Sequence, residues 1–237
     1  PSIAEYGQLL YTATKLYERA GKENWWNDCF SQLNLLAEYL ISLTAEALQS
    51  NEGLISGVPE ADTRGDADIY FHNNAWAVKG LKQWVKLCKM ANASPTTSLE
   101  TAMTYADQLK KNTLQTINET WSSDEKVWWL PALYGSKIRP KRVTDGREAS
   151  YTNYRYWLEL LSSDLLPKEM ANRVVNARLK GGGQFCGMTR FMDHLDDWPL
   201  FEYLSALWKL GRKNDFLLSL YGHVSYHQCE GHLTAFE

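Results

Sequence analysis

Residues 3–49, IAEYGQLLYTATKLYERAGKENWWNDCFSQLNLLAEYLISLTAEALQ, carry the pattern on which the fold turns. Ile3, Tyr6, Leu10, Ala13 and Tyr17 recur at helical spacing until Gly21 interrupts them. After a short polar break, Trp26, Phe30, Leu33, Leu36, Leu40 and Leu43 repeat that spacing. Two helices, over about 3–20 and 25–49, joined by so short a link make a helical hairpin.

The same unit recurs along the chain. A third helix reads through Trp76, Leu81, Trp84, Val85 and Cys88, and Ser94-Pro95 breaks it. Ser98 then caps a fourth, through Met103, Ala106, Leu109, Ile117 and Trp121. Helices five and six, about 152–163 and 167–179, flank residues 164–166, with Pro167 in a first-turn position. Helices seven and eight, about 198–210 and 213–222, meet at Gly211. Alternating strand-like stretches are nearly absent, and only Val127-Trp128-Trp129-Leu130 is expected to form a short strand.

The expected fold is therefore all-α, with eight helices in four hairpins. Long polar loops follow helices two, four, six and eight, while the other links are short. In a ring of antiparallel hairpins every second connection emerges on the same face, so one face would gather the long loops that carry functional groups. A solenoid would alternate in the same way, but no repeat of fixed period accompanies the pattern.

Composition narrows the function classes. The 237 residues are 44% apolar and 22% charged, with a formal net charge of -3. That charge provides no basic footprint for a nucleic acid. No apolar run approaches the roughly 20 residues of a membrane span. Cys29, Cys88, Cys186 and Cys229 are too scattered for a zinc knuckle or a dithiol motif. Ten Trp and thirteen Tyr suit either a large helical core or a cleft that stacks sugar rings on aromatic faces.

Three loops concentrate the polar chemistry. The first runs from Gly57 through Pro59, Glu60, Asp62, Arg64, Asp66 and Asp68 to His72-Asn73-Asn74-Ala75-Trp76. Its four carboxylates, Arg and His suit recognition of a polyhydroxy ligand; the alternative is a solvated loop with an Asn cap for helix three. The second, 180–197, holds Lys180-Gly181-Gly182-Gly183, a candidate anion pocket with Thr189 and Arg190, followed by Asp193 and His194. Asp197-Trp198-Pro199 reads as a helix start with Asp197 as the cap. The third, 223–237, holds His223, His227, His232, Glu230 and Glu237. The histidines are read as hydrogen-bonding residues rather than metal ligands, and no metal or cofactor is expected.

Two of these segments resemble known families. Gly57, Pro59, Glu60, Asn73, Asn74 and Trp76 resemble the catalytic-acid segment of the disaccharide phosphorylases that cleave maltose, trehalose and kojibiose. Val58 inside the Gly-Pro pair and Trp76 in place of Tyr depart from that pattern. His232-Leu233-Thr234-Ala235-Phe236-Glu237 resembles the general-base segment of glucoamylases, which share the same (α/α)6 toroid of six helical hairpins. In that toroid the acid follows the fifth helix of twelve and the base the eleventh. Here Glu60 follows the second predicted helix and Glu237 the eighth, again six apart.

The resemblance implies one catalytic domain over 1–237, an incomplete (α/α)6 ring whose remaining helices lie outside this chain. It implies glycoside cleavage with inversion, Glu60 acting as general acid and Glu237, with Glu230 in competition, as general base. Hydrolysis and phosphorolysis both fit, since phosphate can replace water. Trp25, Trp26, Arg64, His72, Asn74, Trp76, Arg190, Asp193 and His227 are the candidate contacts to an oligo- or polysaccharide. The rivals are a polysaccharide lyase on a related toroid and a non-catalytic helical interaction domain.

Overall fold

The computed structural model describes residues 2–21, 24–59, 66–121 and 128–227. It is mostly helical, and the chain divides into two compact units, Pro1–Glu119 and Thr120–Glu237. Within the first unit, α1 (Ile3–Ala20), α2 (Asn24–Gln49), α3 (Phe71–Ala91) and α4 (Leu99–Thr120) follow in order, α4 running up to the division. Ser2 and Glu5 form a reciprocal capping box on α1, and Gly21 ends it at a φ of 72°. Ser98 Oγ accepts the Thr101 amide at 3.1 Å, the cap expected for α4.

α1 and α2 form an antiparallel hairpin, since Tyr6 meets Tyr39 while Tyr17 meets Trp26 near the link. The closest packing, however, joins α1 to α3, the first helix of the next hairpin. The two run parallel and in register: Asn73 Oδ1 accepts from the Ala4 amide, and Thr14 Oγ1 donates to the Gln83 carbonyl, each pair 69 residues apart. Glycine permits this approach. A Cβ on Gly80 would lie 2.5 Å from the Gly7 α-carbon, and one on Gly7 would lie 2.6 Å from the Trp76 carbonyl carbon. Leu10, Leu40, Leu81, Trp84, Val85 and Cys88 fill the core around this contact.

The second unit contains α5, α6 (Lys168–Lys180), α7 (Leu200–Leu210) and α8 (Lys213–Tyr226). α5 is one continuous helix of three parts: Arg147–Tyr151, a π-turn at Thr152–Tyr156, and Trp157–Ser162. It begins five residues before the expected start, directly after Gly146. α5 and α7, again the first helices of their hairpins, run side by side. Arg155 stacks on Trp198 before α7 and Asp164 meets Lys209 near its end, so these two also run parallel.

Three features differ from the sequence expectation. Trp128, Trp129 and Leu130 form no strand; Trp129 and Leu130 are buried, and the Leu130 carbonyl accepts from the Trp157 indole at 2.9 Å. The irregular 180–197 segment contains an antiparallel sheet, β1 (Gln184–Phe185), β2 (Met188–Phe191) and β3 (His194–Leu195). α8 continues past Gly222 to Tyr226, which places His223 on a helix rather than in a loop. The sheet explains the extension: the β1–β2 turn packs against α8, with a Cβ on Gly187 reaching 2.6 Å from the Leu218 carbonyl carbon.

No described helix is long and apolar enough to cross a membrane.

Candidate functional site

The expected acid and base, Glu60 and Glu237, lie outside the described residues, as do Arg64, Glu230 and His232. What the first unit does describe is the base of the first loop. Gly57 and Asp68 exchange backbone hydrogen bonds at 3.0 and 3.2 Å, closing the loop that carries Glu60 and Arg64. Two asparagines sew that base to the helices. Asn73 accepts from Ala4 at the start of α1 and donates to the Val58 carbonyl at 3.2 Å. Asn74 accepts from the Ile55 amide and donates to the Ile55 and Tyr70 carbonyls.

Asn74 thus ties Ile55 and Tyr70 to the start of α3. Both of its amide protons are consumed by the loop, and its side chain is fully buried. Neither asparagine caps α3, whose N-cap, Tyr70, makes no side-chain cap bond.

His72 is 1% exposed, and burial pulls its imidazole down to about 3, so it is neutral throughout the physiological range. Trp76 is buried between Tyr11 and the Lys79 ammonium. Trp25 and Trp26 do not join these residues. They pack on Tyr17, at the far end of α1 from the Ala4–Asn73 contact. Thirteen residues of helix separate those ends, roughly 20 Å at a helical rise of about 1.5 Å per residue. The two tryptophans belong to the aromatic core around Phe30 and Trp84, at the short-link end of the hairpin.

The second unit brings Arg190 and Asp193 together. Arg190 on β2 and Asp193 in the β2–β3 turn line an open groove of about 390 Å³ with Thr144, Gly146, Arg147 and Met192. Asp193 is solvent-exposed, and its hydrogen bond from His194 at 3.1 Å holds its carboxyl below the usual range. Phe191, the next residue on β2, packs on Tyr151 and Tyr154.

Under the sheet lies a buried polar cluster. Asp197 Oδ1 accepts the Thr189 amide at 2.8 Å, and its Oδ2 stands 3.3 Å from His223 Nδ1. Asp197 is thus not the cap of α7. Pro199 holds the N-cap position and the Asp197 carboxylate turns inward instead, 4% exposed. Arg178, fully buried, donates to Asn153 Oδ1 at 3.0 Å and stacks over the Tyr203 ring. Burial pulls its guanidinium down to about 10, against the opposing influence of Tyr203 and Asp197.

Asn153 sits in the π-turn, a feature that often marks functional sites. It also donates to the Arg190 carbonyl at 2.9 Å and so fixes the strand from which that side chain leaves. His227, 7% exposed, meets this cluster through His223, its ring neighbour one helical turn earlier. Arg178 and Asn153 escaped the sequence reading because each sits in an ordinary helical pattern. The one available signal was Asp197, whose carboxylate suits a cap and an ion pair equally.

Among the described residues no group of three or more His, Cys, Asp or Glu is arranged to hold a metal ion. Comparisons with protein-family models, with curated proteins and with solved structures find no match to this chain.

Proposed function

We propose that this chain is a carbohydrate-active enzyme that cleaves a glycosidic bond by general acid/base catalysis with inversion. In this reading it builds its site on an (α/α)6 toroid of which it carries four hairpins. The observation that carries the reading is the parallel packing of α1 on α3 and of α5 on α7. Helices two apart that lie side by side, each with its antiparallel partner, are what an inner ring of such a toroid requires. The exposed apolar side chains Phe201, Trp208, Leu218, Tyr221 and Val224 on α7 and α8 support the same reading. They form the kind of surface a further helical hairpin would cover.

Glu60 is assigned as the acid, on the loop closed at its base by Gly57 and Asp68. Protonating the glycosidic oxygen lets a poor leaving group depart. Glu237 is assigned as the base that activates water on the opposite face of the ring. Where phosphate is the acceptor, the second role falls away.

The test is made on the full protein, with oligosaccharides and with aryl glycosides of good leaving-group ability, following product anomers by proton NMR. Inversion is expected at the first time points. Glu60→Gln is expected to abolish turnover of the oligosaccharides while sparing the activated aryl glycosides. Glu237→Gln is expected to abolish hydrolysis of both, yet leave phosphorolysis intact. Retention of configuration, or full oligosaccharide turnover by Glu60→Gln, would overturn the assignment.

A further inference from the structure

We propose that the groove between Arg147 and Arg190 is a subsite for an anionic substituent of the sugar, a carboxylate or a phosphate. This rests on the reading of the protein as carbohydrate-active and names the class of substrate.

The groove is the right size. Its volume of about 390 Å³ falls at the lower end of the range in which small ligands bind, enough for one substituted pyranose. Its charge is unbalanced. Two guanidiniums line it against one carboxylate, Asp193, which is exposed and hydrogen-bonds His194. Among the described residues, neither Arg147 nor Arg190 has an acidic partner. The Arg147 guanidinium lies over the Tyr151 ring, 5.5 Å from its centroid.

The backbone that carries one of the two arginines is clamped at both of its peptide groups. The Arg190 amide donates to the Gly183 carbonyl at 2.9 Å, and the Arg190 carbonyl accepts from Asn153 at 2.9 Å. Asn153 is fully buried and is itself held by Arg178. Arg190 therefore leaves a clamped strand, and Phe191 beside it is wedged against Tyr151 and Tyr154. A planar, multi-donor guanidinium on a rigid support suits the paired oxygens of a carboxylate or phosphate.

Binding to the full protein is measured by calorimetry with glucuronate, glucose 6-phosphate, glucose and inorganic phosphate. Glucuronate and glucose 6-phosphate separate the carboxylate from the phosphate as the recognised group. At least one of them is expected to bind on the order of tenfold tighter than glucose. Arg147→Met and Arg190→Met are each expected to remove most of that advantage without weakening glucose. Arg147 is exposed, so its variant is expected to fold and decides the case if Arg190→Met does not. Equal affinity for glucose, unchanged anion binding in Arg147→Met, or inorganic phosphate matching the sugar phosphate would each overturn the subsite. Glycoside cleavage is followed in parallel. Arginine-dependent binding without any cleavage would defeat the proposed activity and leave the subsite standing; cleavage without anion preference would do the reverse.

Discussion

Gly80 of α3 faces Gly7 of α1 so closely that a Cβ on Gly80 would lie 2.5 Å from the Gly7 α-carbon. Backbone meets backbone at that point, and no side chain can mediate the contact. The Gly7 position is equally closed, because a Cβ there would press on the Trp76 peptide.

Gly80→Ala should therefore destabilise the first unit, although the same change in an open helix usually helps. The helices must part by a few tenths of an ångström or more, which strips contacts along their whole shared length. A loss of about 1–3 kcal/mol is expected, at the upper end if α1 cannot shift. Urea unfolding of Gly80→Ala against the parent protein measures it. A midpoint equal to or above the parent's would mean that the helices are not held as tightly as their packing implies.

Asp197 should be the most sensitive polar position of the second unit. Asp197→Ala removes the acceptor of the Thr189 amide and the carboxylate facing His223, and takes away a negative charge that favours the charged form of Arg178. A buried group left without its partner costs about 1–3 kcal/mol, and a buried charge left uncompensated costs more. Asp197→Asn keeps an oxygen for Thr189 and should cost less than Asp197→Ala. Hydrogen exchange at the Thr189 amide reports the change locally: protection should collapse in the Ala variant and survive in the Asn variant. Equal protection in both would show that the Thr189 bond does not depend on this side chain.

His72 should make the first unit acid-sensitive. Its folded pKa is depressed by burial to about 3, below the ordinary value of 6.5, so the unfolded chain binds a proton that the folded one refuses. Stability from this group is present above about pH 6.5 and is lost progressively as pH falls towards 3. The slope approaches about 1.4 kcal/mol per pH unit. The cleanest window is pH 6.5 to 5, above most carboxylate titrations, where the parent should lose on the order of 2 kcal/mol. In His72→Gln that slope should flatten, whatever the variant's absolute stability. A parent whose unfolding free energy is level across this window would rule the mechanism out.

Much of the helical order was legible because helix formation is a local matter. Apolar positions such as Leu10, Leu40 and Trp84 recur at helical spacing, and Gly21, Ser98 and Gly211 mark boundaries through their own backbone and side-chain preferences. The boundaries missed were those where a distant segment intervenes. α8 runs on through Gly222 because that residue lies against Cys186 at the β1–β2 turn. Strands as short as two residues leave no period to read.

By itself, then, the sequence determined a chain of helical hairpins and the loops that hold its polar residues, because spacing, caps and breakers act between near neighbours. The tertiary structure alone decided which helices lie together: α1 on α3 rather than most closely on its hairpin partner, through a contact between two glycines that carry no side-chain signal. It also decided what the polar residues do. Asn74 became a clamp for Ile55, Asp197 turned from the helix end it could have capped to Thr189 and His223, and Arg147 came to line one groove with Arg190. A side chain's partner is set by distances across the fold, and residues 43 positions apart, such as Arg147 and Arg190, meet only once the chain between them has packed.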